Sequence, residues 1–445
     1  TFVMTKTSSG YQVVHKSGIT EVLGLVCQNL YLPVKIIGAF GHYLTLTWDG
    51  THGTPRLTKV VDMDNDVHCA VDYLANTVFH FTPNNSEKYD ITLTTQNNFL
   101  TALSHSSADI TLTWSLAYTA GLMNSQILTG MTTPLGLKKS VVYQKDLMKF
   151  PASSGQKALP AVVSYTIQPG MGQPDLVRTY TYSSNNYLGY GGSTAWNADS
   201  DYTYSLPGSY VYESTEKVVD NTSPNALSTR RVYNHYHLMT LSEEKQGGDN
   251  KQTAMTYYED AGKSFDMQPV QLQCLKKQAI TWINSGAKKY SETTTTEYDT
   301  SGNLTRQVDP GGALTEIVYY PASGESQTTA DTGCPACPHG FVRFEKSRKV
   351  TPAPTSFDAP VELTYSKFDK LATLDRTSAA FHIVPVKMTR LNDGVSQLVR
   401  EISYHATASD KVSYGRIQKA RVRVGNRVQT TSENAFTYVK SGESL

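Results

Sequence analysis

The sequence predicts an all-β fold, an extended array of β-hairpins, and three observations predict it. The first is strict alternation. In Tyr43 to Trp48, residues Leu44, Leu46 and Trp48 share one face and Tyr43, Thr45 and Thr47 the other, the period-2 signature of a half-buried strand. The second is composition. The chain has 28 Tyr against 13 Phe and 4 Trp, with abundant Thr and Ser, and such side chains suit strands with one wet end. The third is recurrence. Ile110-Thr111-Leu112-Thr113-Trp114 repeats Leu44 to Trp48, and Ile91 to Thr94 is a further copy without the Trp. Strands returning at multiples of about 20 residues point to a repeat architecture.

The totals fit. At 445 residues the chain exceeds one ordinary core, so an extended array or several domains is expected. A formal net charge of +1 provides no field for nucleic acid or an anionic surface. No apolar run reaches the length of a membrane helix. The chain begins at Thr1 without a signal pattern and reads as a piece of a longer protein. Five cysteines, Cys27, Cys69, Cys274, Cys334 and Cys337, are too few and too scattered for a disulfide framework.

Taken in order, Tyr43 to Trp48 and Leu57 to Val61 flank the turn Asp49-Gly50-Thr51-His52-Gly53 as a hairpin. Thr132 to Gly136 is a turn before a strand at Ser140 to Tyr143. Phe150 to Gly172 carries Pro151, Pro160 and Pro169 and reads as a long surface loop between an N-terminal array, 1–150, and a continuous second region, 151–445. Leu176 to Tyr182 is a strand, and Asn185 to Ser200 is loop. Tyr202 to Tyr204 and Tyr210 to Tyr212 flank a Leu206-Pro207-Gly208 turn. Arg230 to Leu241 and Gln252 to Tyr258 are strands. Gln271 to Asn284 has apolar residues near helical spacing, yet its neighbours favour a strand. Later strands are Val361 to Phe368, Ile383 to Leu391, Leu398 to Tyr404 and Ala420 to Val424, with Gly425-Asn426 turning the last into Arg427 to Thr430.

The most regular stretch runs from Tyr298 to Tyr320. A β-branched run, Thr293 to Tyr298, meets the turn Asp299-Thr300-Ser301-Gly302-Asn303, in which Asp and Asn bond their own backbone and Gly302 takes positive φ. Leu304 to Val308 is a strand, Asp309-Pro310-Gly311-Gly312 a second turn, and Leu314 to Tyr320 the next strand. Tyr298 should end its strand with its ring on a neighbouring repeat and its hydroxyl hydrogen-bonded. One hairpin cannot bury its inner face alone, so hairpins stack into one long sheet, which twist then bends.

Tyr298, Asp299, Gly302, Asn303, Asp309, Gly312 and Tyr319 resemble the repeat unit of the Rhs, or YD-repeat, family. The specific match covers this one unit, and strand rhythm extends it over most of the chain. The resemblance implies a curved or spiral sheet that forms part of a hollow β-shell. It implies a secreted structural segment of a toxin, delivered by an export system. In that family the shell encloses a C-terminal toxic domain and releases it on delivery. Expected partners are that enclosed domain or other shell segments. An enzymatic role, a cofactor and a metal are not expected. The family's self-cleavage region resembles Asp309 to Gly312 only superficially, because here that run lies inside the repeat and reads as a turn.

Other motifs have a plain structural reading. Cys334-Pro335-Ala336-Cys337 with His339 lacks a second cysteine pair for zinc and a βαβ context for redox work, so a rigid local loop is expected. His235 and His237 lie two apart on an expected strand and would share a face, next to Tyr233 and Tyr236. Gly262-Lys263-Ser264 lacks the glycine of a phosphate loop five positions earlier. Arg416, Lys419, Arg421, Arg423 and Arg427 read as the wet face of a strand. With 39 acidic residues, no carboxylate pair stands out for glycoside hydrolysis. Tyr180, Tyr182, Tyr187, Tyr190, Trp196, Tyr202 and Tyr204 form a dense aromatic set, and the alternative function is a carbohydrate-binding or adhesion module built on it.

Overall fold

The computed structural model describes residues 2–51, 53–82, 87–121, 125–219, 226–356, 359–374, 380–424 and 427–436. It is all-β. Among these residues 29 strands belong to one antiparallel sheet. The helical content consists of three short 3-10 turns, Ala152–Ser154, Tyr202–Ser205 and Phe265–Met267. Strands pair with their neighbours in sequence. Thus Phe2–Thr7 pairs with Gly10–His15, Leu176–Tyr182 with Tyr212–Val219, and Leu275–Ile283 with Lys289–Tyr298. The strands Leu304–Val308 and Leu176–Tyr182 have the bounds expected from the sequence, and Gln271 to Asn284 holds the strand Leu275–Ile283.

Three expectations need correction. The stretch Phe150 to Gly172 is not a loop, because it contains the strand Leu159–Gln168. Pro160 sits at the second residue of that strand and Pro169 just past its end, positions where a missing N–H is tolerated. Between them Val162, Val163, Tyr165 and Ile167 supply β-formers. Arg230 to Leu241 is not one strand. Ser228–Tyr233 ends at Asn234, and Met239–Gln246 begins after a turn, because Asn234 Oδ1 accepts the N–H groups of Tyr236 and Leu238. Tyr202 to Ser205 is a 3-10 turn rather than an extended arm. The Gly425-Asn426 turn lies outside the described residues, though the strands flanking it, Ile417–Val424 and Arg427–Glu433, pair as expected.

The chain groups into two compact units, residues 1–92, 105–111 and 311–445 in one and 93–104 and 112–310 in the other. In the first, Tyr320, Cys334 and Ile383 form a buried cluster with Phe344, Phe368 and Phe381 packed on it. Its early hairpins meet its late strands. The Phe40 and His382 rings cross edge-on at 5.2 Å, Leu374 N–H donates to Phe40 O at 3.0 Å, and His42 Nε2 lies 2.8 Å from Lys411 O. In the second unit, the long loop after Tyr182 buries Tyr202, Leu206 and Tyr210.

Candidate functional site

The repeat itself is the best-defined constellation, and its central feature is a register slip. At Tyr298 the strand Lys289–Tyr298 faces Leu304, while the preceding residue Glu297 faces Arg306, so Thr305 is an extra residue. This is a β-bulge. The same slip recurs with an aromatic residue at the same place. Tyr233 faces Met239 with Thr240 extra, and Tyr143 faces Val162 with Val163 extra. Trp48 faces Leu57 with Thr58 extra, and Phe368 faces Pro385 with Val386 extra. Tyr118, Tyr257, Tyr319 and Tyr404 mark four more.

A bulge leaves backbone groups outside the ladder, and these need partners. Three side-chain types supply them. Tyrosine on the following strand reaches the carbonyl beside the extra residue. Tyr73 donates to Leu57 O at 3.0 Å, Tyr143 to Leu128 O at 3.0 Å and Tyr182 to Val162 O at 2.8 Å. Tyr257 donates to Met239 O and Tyr404 to Pro385 O, each at 2.8 Å. Trp48 Nε1 does the same to Pro33 O at 2.8 Å, beside the extra residue Val34. Threonine at the extra position serves the opposite strand. Thr58 donates to Thr47 O at 3.1 Å, Thr240 to Val232 O at 3.4 Å, Thr305 to Glu297 O at 3.2 Å and Thr431 to Ala420 O at 3.2 Å. The abundance of Tyr and Thr therefore has a structural cause.

The turn after the tyrosine also recurs. Asp299 Oδ1 accepts Ser301 N–H at 2.8 Å and Asn303 N–H at 2.9 Å, and Asp299 N–H donates to Asn303 O at 2.9 Å. Gly302 takes φ +74°, the left-handed position of a three-residue hairpin loop. Asp62, Asn234 and Asn284 repeat all of these bonds, with Asn65, His237 and Ala287 at positive φ in the glycine place. These degenerate copies escape sequence reading because the glycine is replaced and only the Asx residue remains. His237 thus lies in a turn and not on a strand, so His235 and His237 do not form a same-face pair. His235 is buried, with Nε2 3.6 Å from Glu259 Oε1, and His237 Nδ1 lies 3.1 Å from the Tyr212 hydroxyl.

The other singled-out residues fall as follows. The Tyr298 ring meets Tyr258 edge-on at 6.2 Å, and the hydroxyl bond found at this corner is that of Tyr258, to Thr296 O at 2.5 Å. Thr296 Oγ1 donates to Leu275 O, the carbonyl that the tyrosine rule would assign to Tyr298. Asp309 accepts Gln307 Nε2 at 2.7 Å, and Gly312 takes φ +87° beside Pro354. Tyr319 stands at its own slip opposite Glu345. Cys334 is buried in the core cluster, and burial pushes its thiol up to about 12. Cys334 and Cys337 are free thiols, and the described residues contain no cluster of metal-ligating side chains. Lys263 pairs with Asp260 at 2.6 Å. Arg421 and Arg423 are exposed, while Ala420 on the opposite face of the strand is buried. The aromatic set serves packing: Trp196 meets Tyr202 at 4.8 Å and Phe150 at 5.2 Å, and Tyr204 stacks on Phe265 at 4.1 Å. Tyr182 and Tyr187 also border a cavity of about 380 Å³ with Tyr212, Tyr233 and Glu213.

No family model matches the chain, and no curated protein matches it. Among solved structures, the crystal structure of TcdB2-TccC3-Cdc42 aligns with 97% of this chain and 24% of that one, at 10% identity and a TM-score of 0.35. The crystal structure of TcdB2-TccC3 aligns with 95% of this chain and 24% of that one, at 11% identity and a TM-score of 0.33. The chain spans about a quarter of the length of either. No described helix is long and apolar enough to cross a membrane.

Proposed function

We propose that the chain is a wall segment of an exported Rhs-type toxin shell, a structural element that encloses a C-terminal toxic domain and has no catalytic role of its own. The observation that carries this reading is the repeated tyrosine-marked bulge. The Tyr298 to Tyr319 unit resembles the YD repeat in its residues, and the bulge and loop chemistry of that unit recurs along the chain at Tyr233-Asn234 and Val61-Asp62. A β-bulge bends its strand and raises local twist. Bulges recurring at many strand ends, with several of their carbonyls held by the next tyrosine, are a device for building a long sheet with controlled curvature. Tyrosines spent on backbone carbonyls are not free for ligands, which favours a wall over an adhesion module.

The test is limited proteolysis of the full-length gene product, followed by mass spectrometry and electron microscopy. A hollow particle with a downstream segment protected until the particle is denatured supports the reading. A segment cleaved at the same rate as an isolated peptide overturns it. So does saturable glycan-array binding that is lost in Tyr187→Ala, since Tyr187 is the exposed tyrosine of the 380 Å³ cavity.

A further inference from the structure

Within the first unit a cavity of about 340 Å³ lies between the hairpin residues 12–41, the segment 337–344, Thr373 and the segment 380–383. Among the described residues no Asp or Glu lines it. Its basic groups are His15, His339, His382 and Arg343. His15 already has a partner, Glu21 Oε1 at 2.9 Å. Arg343 differs. Its Nε is buried without a hydrogen-bond partner. Its guanidinium lies over the Phe344 ring at 4.7 Å, and none of the ion pairs among the described residues reaches it.

Burial pushes the Arg343 guanidinium below the usual arginine range. Burial, then the Arg343 charge, hold His339 and His382 below theirs, so the histidines stay neutral and the arginine carries the charge. A half-buried cation without a counter-charge is costly unless an anion completes it. One wall is apolar, with Phe341, Phe381 and Ile383 facing the same space, while Gln12, Thr20 and Thr373 make the rest partly polar. A cavity of this size with one charged anchor and an apolar wall is the form of a small-molecule site.

We propose that this cavity binds a small organic carboxylate, with the carboxylate on the Arg343 guanidinium and the apolar body against Phe341, Phe381 and Ile383. The planar guanidinium fork matches two carboxylate oxygens. A phosphate would bring more charge than a single cation with neutral histidines balances, and it has no apolar body for the phenylalanine wall.

The experiment uses the purified chain with 3-phenylpropionate as probe, with inorganic phosphate and NaCl at matched ionic strength as comparisons. Melting temperature and the NMR titration of the His339 and His382 rings are read together, with the ring signals assigned through His339→Gln and His382→Gln. A saturable rise in melting temperature with 3-phenylpropionate is expected, lost in Arg343→Gln. The same ligand should raise both histidine titration midpoints, since it neutralises the nearby charge. No rise beyond NaCl overturns the proposal, as does an equal rise in Arg343→Gln or a larger rise with phosphate. Should Arg343→Gln not fold, the wild-type histidine midpoints decide alone, and midpoints unmoved by saturating 3-phenylpropionate overturn it.

Discussion

The Tyr182 hydroxyl donates to the Val162 carbonyl at 2.8 Å, and Val162 is the residue at which its strand slips register against Tyr143. Tyr143 in turn donates to Leu128 O, beside the previous slip. Tyr143, Tyr257 and Tyr404 therefore each mark one bulge and satisfy another, while Tyr182 satisfies a bulge without marking one. Removing the hydroxyl alone leaves a carbonyl unpaired while the ring keeps its packing. Tyr182→Phe should cost about 1–2 kcal/mol, read as a lower urea midpoint with an unchanged slope. An unchanged midpoint would mean that water replaces the hydroxyl at no cost.

The hairpin loops predict a reciprocal pair. Ala287 holds φ +62° in the place that Gly302 fills at φ +74°. Nothing crowds a Cβ at Gly302, so the effect there is backbone strain alone. Ala287→Gly should stabilise by roughly 1 kcal/mol and Gly302→Ala destabilise by about as much. Gly302→Val should cost more, on the order of 1–3 kcal/mol. Urea midpoints moving in the same direction for Ala287→Gly and Gly302→Ala would refute the shared geometry.

Strand identity was legible because alternation and β-branched runs are local properties. Leu304 to Val308 could be bounded from its flanking turns. Register was not legible, since it belongs to a pair of strands and period-2 patterning is blind to one extra residue. One sequence signal existed, a threonine within the first three residues of a strand after a turn, as in Leu57-Thr58, Met239-Thr240 and Leu304-Thr305. Phe150 to Gly172 looks like loop in sequence because proline is a loop signal, yet Pro160 sits near the start of Leu159–Gln168 and Pro169 just past its end, where proline is compatible with a strand. The Arg343 cavity had no sequence signal, since residues more than three hundred positions apart line it.

Acid should weaken the fold through four histidines that desolvation keeps from charging, of which His235 is the buried one. Burial holds His235, His237, His339 and His382 below the usual histidine value. The unfolded chain, with histidines near about 6.5, then binds more protons than the folded one, so stability falls as pH drops through that value. The full stability of these groups is present above it. Urea midpoints at pH 8 and pH 5.5 should differ in that direction, and His235→Gln should reduce the difference. His235 is the natural choice because its ring Nδ1 is buried without a partner. A midpoint that rises on acidification would contradict the assignment.

The contact between the early and late strands of the first unit gives the sharpest steric test. Gly415 takes φ +78°, and a Cβ built there would lie 2.4 Å from Phe40 Cγ. Gly415→Ala therefore carries two penalties, left-handed strain of roughly 1–2 kcal/mol and a clash that must move a ring. Phe40→Leu removes the aromatic edge from His382 and opens space at Gly415. If the clash is the larger penalty, the double variant Gly415→Ala with Phe40→Leu loses less than the sum of the singles, because the two sites are coupled through one contact. If backbone strain dominates, the losses add. A double-mutant cycle on urea midpoints separates the two, and a coupling energy below about 0.5 kcal/mol would remove Phe40 as the partner that requires glycine at 415.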